Sequence, residues 1–189
     1  MLFRSLDILF AVLGILLFAP ILIIICIVGL LDTGSPFVLQ RRVGKNKDIF
    51  VLVKFRTMRR GTRSMPSHLV DSSSITTVGS WLRRSKLDEL PQLWNVLVGD
   101  MSVVGPRPCL PDQTELIEER ESRGVFAARP GITGLAQVNK IDMSTPELLA
   151  KTDARMLADL SVLSYLKYIV VTVAGKGSGD RVSPTSSAR

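Results

Sequence analysis

The sequence predicts a mainly helical α+β protein, one domain of soluble size carried on an N-terminal membrane segment. Three observations predict it. Residues Ile8 to Leu31 form 24 consecutive uncharged positions, a length that suits a helix in lipid. Strand-like composition, rich in β-branched and aromatic residues, is confined to Phe37–Gln40 and Ile49–Arg56. The later apolar residues recur at helical spacing, and 189 residues leave room for a single domain beyond the membrane segment.

The apolar run admits two readings. As one helix it would extend about 36 Å, enough for a bilayer core of about 30 Å. It is too long for a signal-peptide core, and no small-residue cleavage site follows it cleanly. Pro20, near its middle, lacks the N–H that would bond to the Leu16 carbonyl, so a kink or break is expected there. The flanks matter too. Arg4 precedes the run and a strongly basic stretch follows it. A spanning helix would carry Arg4 across, whereas a helix–break–helix that re-enters one leaflet keeps both flanks on the cytoplasmic side. Each arm would then reach about 18 Å.

Beyond it, Asp32-Thr33-Gly34-Ser35-Pro36 is a turn cluster. Two strands follow, with Gly44-Lys45-Asn46 as the turn between them. Arg59 to Ser74 reads as a mobile polar loop. Val78 to Lys86 is a short helix. Ser85 or Asp88 is a candidate cap for the next helix, with Pro91 in its first turn and Gly99 beyond its end. An Asp88 cap would put both acids at a positive helix end. Glu115 to Arg123 is a charged helix, and Pro146 begins another. Leu160, Leu163, Leu166, Ile169 and Val173 form a helical stripe, expected to pack on the core, with a headgroup-lying helix as the alternative. Gly175 to Arg189 has the composition of a disordered tail.

Charge is uneven. The chain carries +7 overall, and Arg41 to Arg63 alone holds nine basic residues against Asp48. Such a segment suits anionic headgroups or phosphorylated substrates, and equally a solvated face. Cys26 and Cys109 suggest neither a disulfide framework nor a metal set. His68 is the only histidine, and it sits in the polar loop, which argues against a histidine triad or a histidine zinc site.

Residues 83–108 carry the chemistry. The adjacent acids Asp88 and Glu89 lie between Arg83-Arg84 and the rigid turn Gly105-Pro106-Arg107-Pro108. Acids among fixed cations fit a polyanionic substrate handled by a carboxylate nucleophile, base or metal ligand. Plain helix capping is the competing account. The turn Arg129-Pro130-Gly131-Ile132-Thr133-Gly134 pairs a cation with N–H groups, a weaker phosphate signal.

Taken together, Lys54-Phe55-Arg56-Thr57-Met58, Leu87-Asp88-Glu89-Leu90-Pro91-Gln92-Leu93-Trp94-Asn95, Gly99-Asp100-Met101-Ser102, Val104-Gly105-Pro106-Arg107-Pro108 and the Arg129–Gly134 turn resemble the bacterial monotopic phosphoglycosyl transferases. These sugar transferases begin glycoconjugate assembly on a polyprenol carrier. The resemblance runs from near the amino terminus to about Thr172, in the family's motif order. It implies a re-entrant membrane helix broken at Pro20 (residues 1–34), a small catalytic domain on the cytoplasmic face of the bacterial inner membrane (residues 35–174) with interfacial amphipathic helices, and a tail (175–189). It implies a ping-pong transfer of sugar 1-phosphate from a UDP-sugar to polyprenol (undecaprenyl) phosphate, releasing UMP, for an O-antigen, capsule or glycoprotein glycan. Asp88 is the implied nucleophile and Mg²⁺ ligand. Glu89 is the expected base or orienting group. Arg83 and Arg107 lead the expected phosphate ligands, followed by Lys54, Arg56 and Arg129.

Three positions depart from the family pattern: Ala19 before Pro20 and Lys86 before Leu87, where serine is frequent, and Tyr165, where an aspartate often lies. The other reading, a non-catalytic polybasic membrane module, leaves Asp88-Glu89 beside Pro106-Arg107-Pro108 unexplained. Nucleic-acid binding is not expected, because only Phe50 and Phe55 interleave the basic stretch.

Overall fold

The computed structural model describes residues 2–62 and 72–175. Arg63, His68, most of the expected loop and the tail beyond Gly175 lie outside them. The first helix, α1 (Leu2–Thr33), continues through Pro20. The kink or break expected at Pro20 does not end the helix. A proline removes one hydrogen bond and crowds one turn, which a helix accommodates without ending.

Both ends of α1 rest on the same folded body. Asp7 and Ala11 are buried before Pro20, Ile25 and Gly29 after it. Between them Leu16 and Leu17 are 68% and 74% exposed. Arg4 donates to the carbonyls of Val96 (2.6 Å) and Leu97 (2.9 Å), and Pro36 packs on Gly29. Much of the remaining surface of α1 is exposed leucine and isoleucine.

Strands β1 (Phe37–Val43) and β2 (Ile49–Phe55) form an antiparallel hairpin with Phe37 opposite Phe55 and Val43 opposite Ile49. Asn46, at φ 53°, adopts the left-handed conformation the turn needs and asparagine tolerates. Helix α2 (Thr77–Ser85) is capped by Thr76, whose hydroxyl accepts from Gly79 N at 2.9 Å. Helix α3 (Gln92–Val98) ends at Gly99, φ 100°. Arg4 and Arg129, the latter through Gly99 O at 2.7 Å, satisfy carbonyls at that end.

Strands β3 (Ser102–Val104) and β4 (Gly131–Thr133) pair in parallel, an element the sequence did not suggest. A Cβ on Gly131 would stand 2.0 Å from Gly105 N, so glycine is required where the two segments meet. Helix α4 (Thr114–Ser122) bridges them and packs on α6 (Pro146–Ala158), with the short α5 (Leu135–Val138) between β4 and α6. Helix α7 (Val162–Val173) starts from a capping box of Ser161 and Ser164.

The expected core stripe of α7 is corrected by its burial. Leu163 and Val173 are 80% and 82% exposed, while Tyr165 is fully buried. The inward face runs through Tyr165, Tyr168 and Ile169, and Leu160 also packs on the core, so the stripe splits: Leu160 and Ile169 face in, while Leu163, Leu166 and Val173 face out. An apolar outward face suits a helix lying along headgroups. The body is therefore mainly helical α+β, and α1 shares its core: Ala11 joins Phe50, Leu52, Val96, Met101 and Tyr165, and Ile25 joins Phe55 and Leu82.

Candidate active site

The two acids lie in a 3₁₀ turn, Leu87–Glu89, between α2 and α3. Neither expected cap forms. Ser85 donates back to the Trp81 and Leu82 carbonyls, and α3 begins only at Gln92, behind Pro91. Lys86, left-handed at φ 58°, ends α2 and turns the chain into the 3₁₀ segment. That turn spends three residues per revolution, so adjacent side chains diverge by about 120°. Asp88 is 4% exposed. Glu89 instead takes the Arg107 guanidinium at 2.6 Å, both side chains mostly buried. Burial pushes the Lys86 ammonium below its ordinary value, and Arg107 adds to this while Glu89 opposes it.

The turn packs against α2 and β2. On β2, Lys54 is only 8% exposed. Asn95 fixes α3 to that strand: its side chain accepts from Val53 N at 3.0 Å and donates to Val51 O at 2.7 Å. On α2, Arg83 donates through Nε to the Thr57 hydroxyl at 2.9 Å. Thr57 is itself pinned to the start of α2. Its carbonyl accepts from Thr76 N at 3.1 Å, and a Cβ on Gly79 would approach that carbonyl oxygen to 2.0 Å. Gly79 thus admits Thr57, and Arg83, one turn further along α2, meets its hydroxyl. The Nη1 atom of Arg83 is buried without a hydrogen-bond partner among the described residues. A buried, unpaired guanidinium nitrogen is costly unless a ligand engages it.

The arginine between prolines is held from behind. Arg120 donates to Arg107 O at 2.8 Å and, through Nε and Nη2, to Asp153 Oδ2 at 3.0 and 2.7 Å. This ion pair is almost completely buried. Gly131 N donates to Pro106 O at 2.8 Å, so this N–H of the Arg129–Gly134 turn, expected to face phosphate, instead closes the scaffold.

The structure thus holds Asp88 and Glu89 in one turn, pairs Glu89 with Arg107, and packs the turn against β2, which carries Lys54, and α2, which carries Arg83. Arg56 and Arg129 have other placements. Arg56 donates to the carbonyls of Ser35 and Phe37, bracing the start of β1, and Arg129 closes α3. Sequence reasoning missed Thr57, Asn95, Arg120 and Asp153 as positioning groups. Thr57 and Asn95 lie within the quoted motifs, and Asn95 is polar between Trp94 and Val96. Arg120 and Asp153 carry no local signal.

Among the described residues, no group of three or more His, Cys, Asp or Glu side chains converges. Mg²⁺ commonly takes one or two carboxylates with substrate phosphates and water, and Asp88 is the carboxylate that would hold it here.

Comparison with known proteins identifies the family. Residues 1–176 match the family described as bacterial sugar transferase. The exopolysaccharide production protein ExoY of Sinorhizobium fredii is 35% identical over 189 residues, spanning 90% of this chain and 83% of that protein. ExoY of Rhizobium meliloti is 41% identical over 160 residues, 72% of this chain and 68% of the relative. An undecaprenyl-phosphate glucose phosphotransferase of Komagataeibacter xylinus is 36% identical over 85% of this chain, which corresponds to 32% of that longer protein. The chain belongs to the bacterial sugar transferase family and is a phosphoglycosyl transferase.

Proposed function

We propose that the protein transfers a sugar 1-phosphate from a UDP-sugar to polyprenol phosphate by a two-step displacement at Asp88. One observation carries this reading: the buried Asp88 carboxylate in a turn whose second acid, Glu89, is paired to Arg107. An Asp88 carboxylate oxygen attacks the β-phosphorus of the donor. The phosphoanhydride bond to the UMP oxygen breaks, and UMP leaves with the bonding electrons. A phosphate oxygen of the acceptor then attacks the same phosphorus, restoring the Asp88 carboxylate and giving polyprenol diphosphate-sugar. Splitting the transfer keeps each step a single displacement. Arg83 and Arg107 offset the charge that builds on phosphoryl oxygens. Lys54, from β2, adds a third cation. Glu89 orients or deprotonates the incoming acceptor phosphate. Asp88 would hold Mg²⁺, which supplies further charge neutralisation on the pyrophosphate. Relatives whose names specify undecaprenyl phosphate support this choice of acceptor.

The site works from the cytoplasmic face of the inner membrane, with α1 as a re-entrant element. Two observations support this. Arg4 and Asp7 bind the same body as Gly29 and Pro36, and the exposed middle of α1 is entirely apolar from Ile8 to Leu31.

Intact-protein mass spectrometry tests the chemistry. With Mg²⁺ and the correct UDP-sugar but no acceptor, each active site should release at most one UMP and gain the mass of one phosphosugar. Peptide mapping should place it on Asp88, and Asp88→Asn should abolish both events. An adduct elsewhere, or UMP release only when both substrates are present, overturns the two-step reading.

A further inference from the structure

An apolar cavity of about 270 Å³ opens beside the acid pair. Leu22 and Cys26 of α1, Phe55 of β2 and Trp94 of α3 wall it, and Leu90 and Pro91 form the end nearest Glu89. Its α1 wall crosses Pro20, from Ile15 to Leu22. Neighbouring α1 residues Ile23, Ile24 and Ile27 are more than half exposed, so the cavity opens within the depth at which α1 lies in lipid. A nucleotide sugar finds no polar partner among these side chains. A long hydrocarbon does, provided its reactive end projects past Leu90 and Pro91 to Glu89 and Asp88.

We propose that this cavity holds the head-proximal isoprene units of the polyprenyl phosphate acceptor and so aims its phosphate at Asp88. The inference rests on the proposed transfer reaction and adds the acceptor's seat to it. The cavity has room for a few branched isoprene units, while the rest of the chain remains in the bilayer. Phe55 and Trp94 add aromatic surface to the cavity wall, and α1 supplies its aliphatic side. Trp94, 58% exposed, stands at the rim, where chain enters from lipid.

Two measurements on the full-length enzyme in nanodiscs test this. The first is kinetic. Cys26→Phe should fill part of the cavity and Trp94→Ala should remove its rim. Each should raise KM for undecaprenyl phosphate about tenfold, the value of one or two buried methylene groups, while single-turnover UMP release without acceptor stays at the wild-type level. An unchanged KM overturns the proposal, and so does an equal loss of UMP release, which would make these residues supports of the fold. The second is direct. Undecaprenyl phosphate should slow maleimide labelling of Cys26, mapped by peptide mass spectrometry, over the concentrations that saturate turnover. Equal protection by phosphatidic acid would mean ordinary lipid packing and would sink the proposal. If wild-type enzyme released no UMP from any UDP-sugar, the reaction reading would fail, and the labelling result would still decide whether prenyl chain occupies the cavity.

Discussion

The Tyr165 hydroxyl donates to Asp7 Oδ1 at 2.7 Å, joining residues 158 positions apart. The same oxygen accepts from the Ser102 hydroxyl at 2.7 Å and from Val103 N at 2.8 Å. Phe3 stacks on the Tyr165 ring with centroids 5.6 Å apart. The amino-terminal arm of α1 is therefore fastened to β3 and α7 by one buried carboxylate. Burial, reinforced by Asp7, pushes the Tyr165 phenol well above its ordinary value, so it stays a donor. The departure at Tyr165 thus places a donor where Asp7 needs one.

Removing the two partners should have unequal effects. Tyr165→Phe leaves Asp7 with two donors and should cost about 1.5 kcal/mol, one hydrogen bond to a charged group. Asp7→Leu strands three buried donors and should cost about 3 kcal/mol or more. Denaturant melts in detergent micelles give both values, and a larger loss for Tyr165→Phe would contradict the three-donor arrangement.

Thr57 positions Arg83. Thr57→Val should lower kcat/KM about tenfold, the worth of a weakened charged contact in the transition state, with little change in melting temperature. Thr57→Ser should restore most of the activity, since it returns the hydroxyl. If serine fails to rescue, Thr57 acts through packing and the hydroxyl is not what matters.

Arg120 and Asp153 should behave as a coupled pair. Arg120→Leu leaves a buried carboxylate alone and should destabilise by about 3–5 kcal/mol. Adding Asp153→Leu should recover a large part of that loss, because no charge is then buried unpaired. Strictly additive losses in the double-mutant cycle would exclude the coupling.

Lys86 combines a left-handed backbone with a partly buried ammonium. Its lowered pKa means the folded state disfavours the charged form. That penalty is fully present below the folded pKa and disappears as pH rises past the ordinary lysine value of 10.5. Lys86→Gly should therefore stabilise the protein at pH 7, by about 1 kcal/mol from backbone relief plus the charge contribution. The gain should shrink toward alkaline pH. A gain that grows with pH would reverse the assignment.

Topology has its own check. Single cysteines at Ser5 and Ser35, in a background lacking Cys26 and Cys109, should both react with an impermeant reagent only from the cytoplasmic side. Reaction at position 5 from the opposite side would mean that α1 spans the membrane.

The sequence by itself determined the elements whose causes are local. The uncharged run from Ile8 to Leu31 specifies an apolar helix. Composition specifies the β1–β2 hairpin and its turn, Gly99 the end of α3, and Pro146 the start of α6. Each depends on residues within about one turn or one hairpin of each other. The acid pair, Arg107 and the family motifs were legible for the same reason. Tertiary structure alone decided what those residues do to one another. It bound Glu89 to Arg107, left Arg83 Nη1 buried with no partner among the described residues, set Arg120 and Asp153 behind the proline-flanked arginine, and diverted Arg56 and Arg129 to backbone carbonyls. It also split the α7 stripe, turning Leu163, Leu166 and Val173 outward while Tyr165 meets Asp7 and Ile169 packs on the core. Burial and hydrogen-bond satisfaction depend on which distant segments share a volume, and side-chain type and spacing along the chain do not encode that directly.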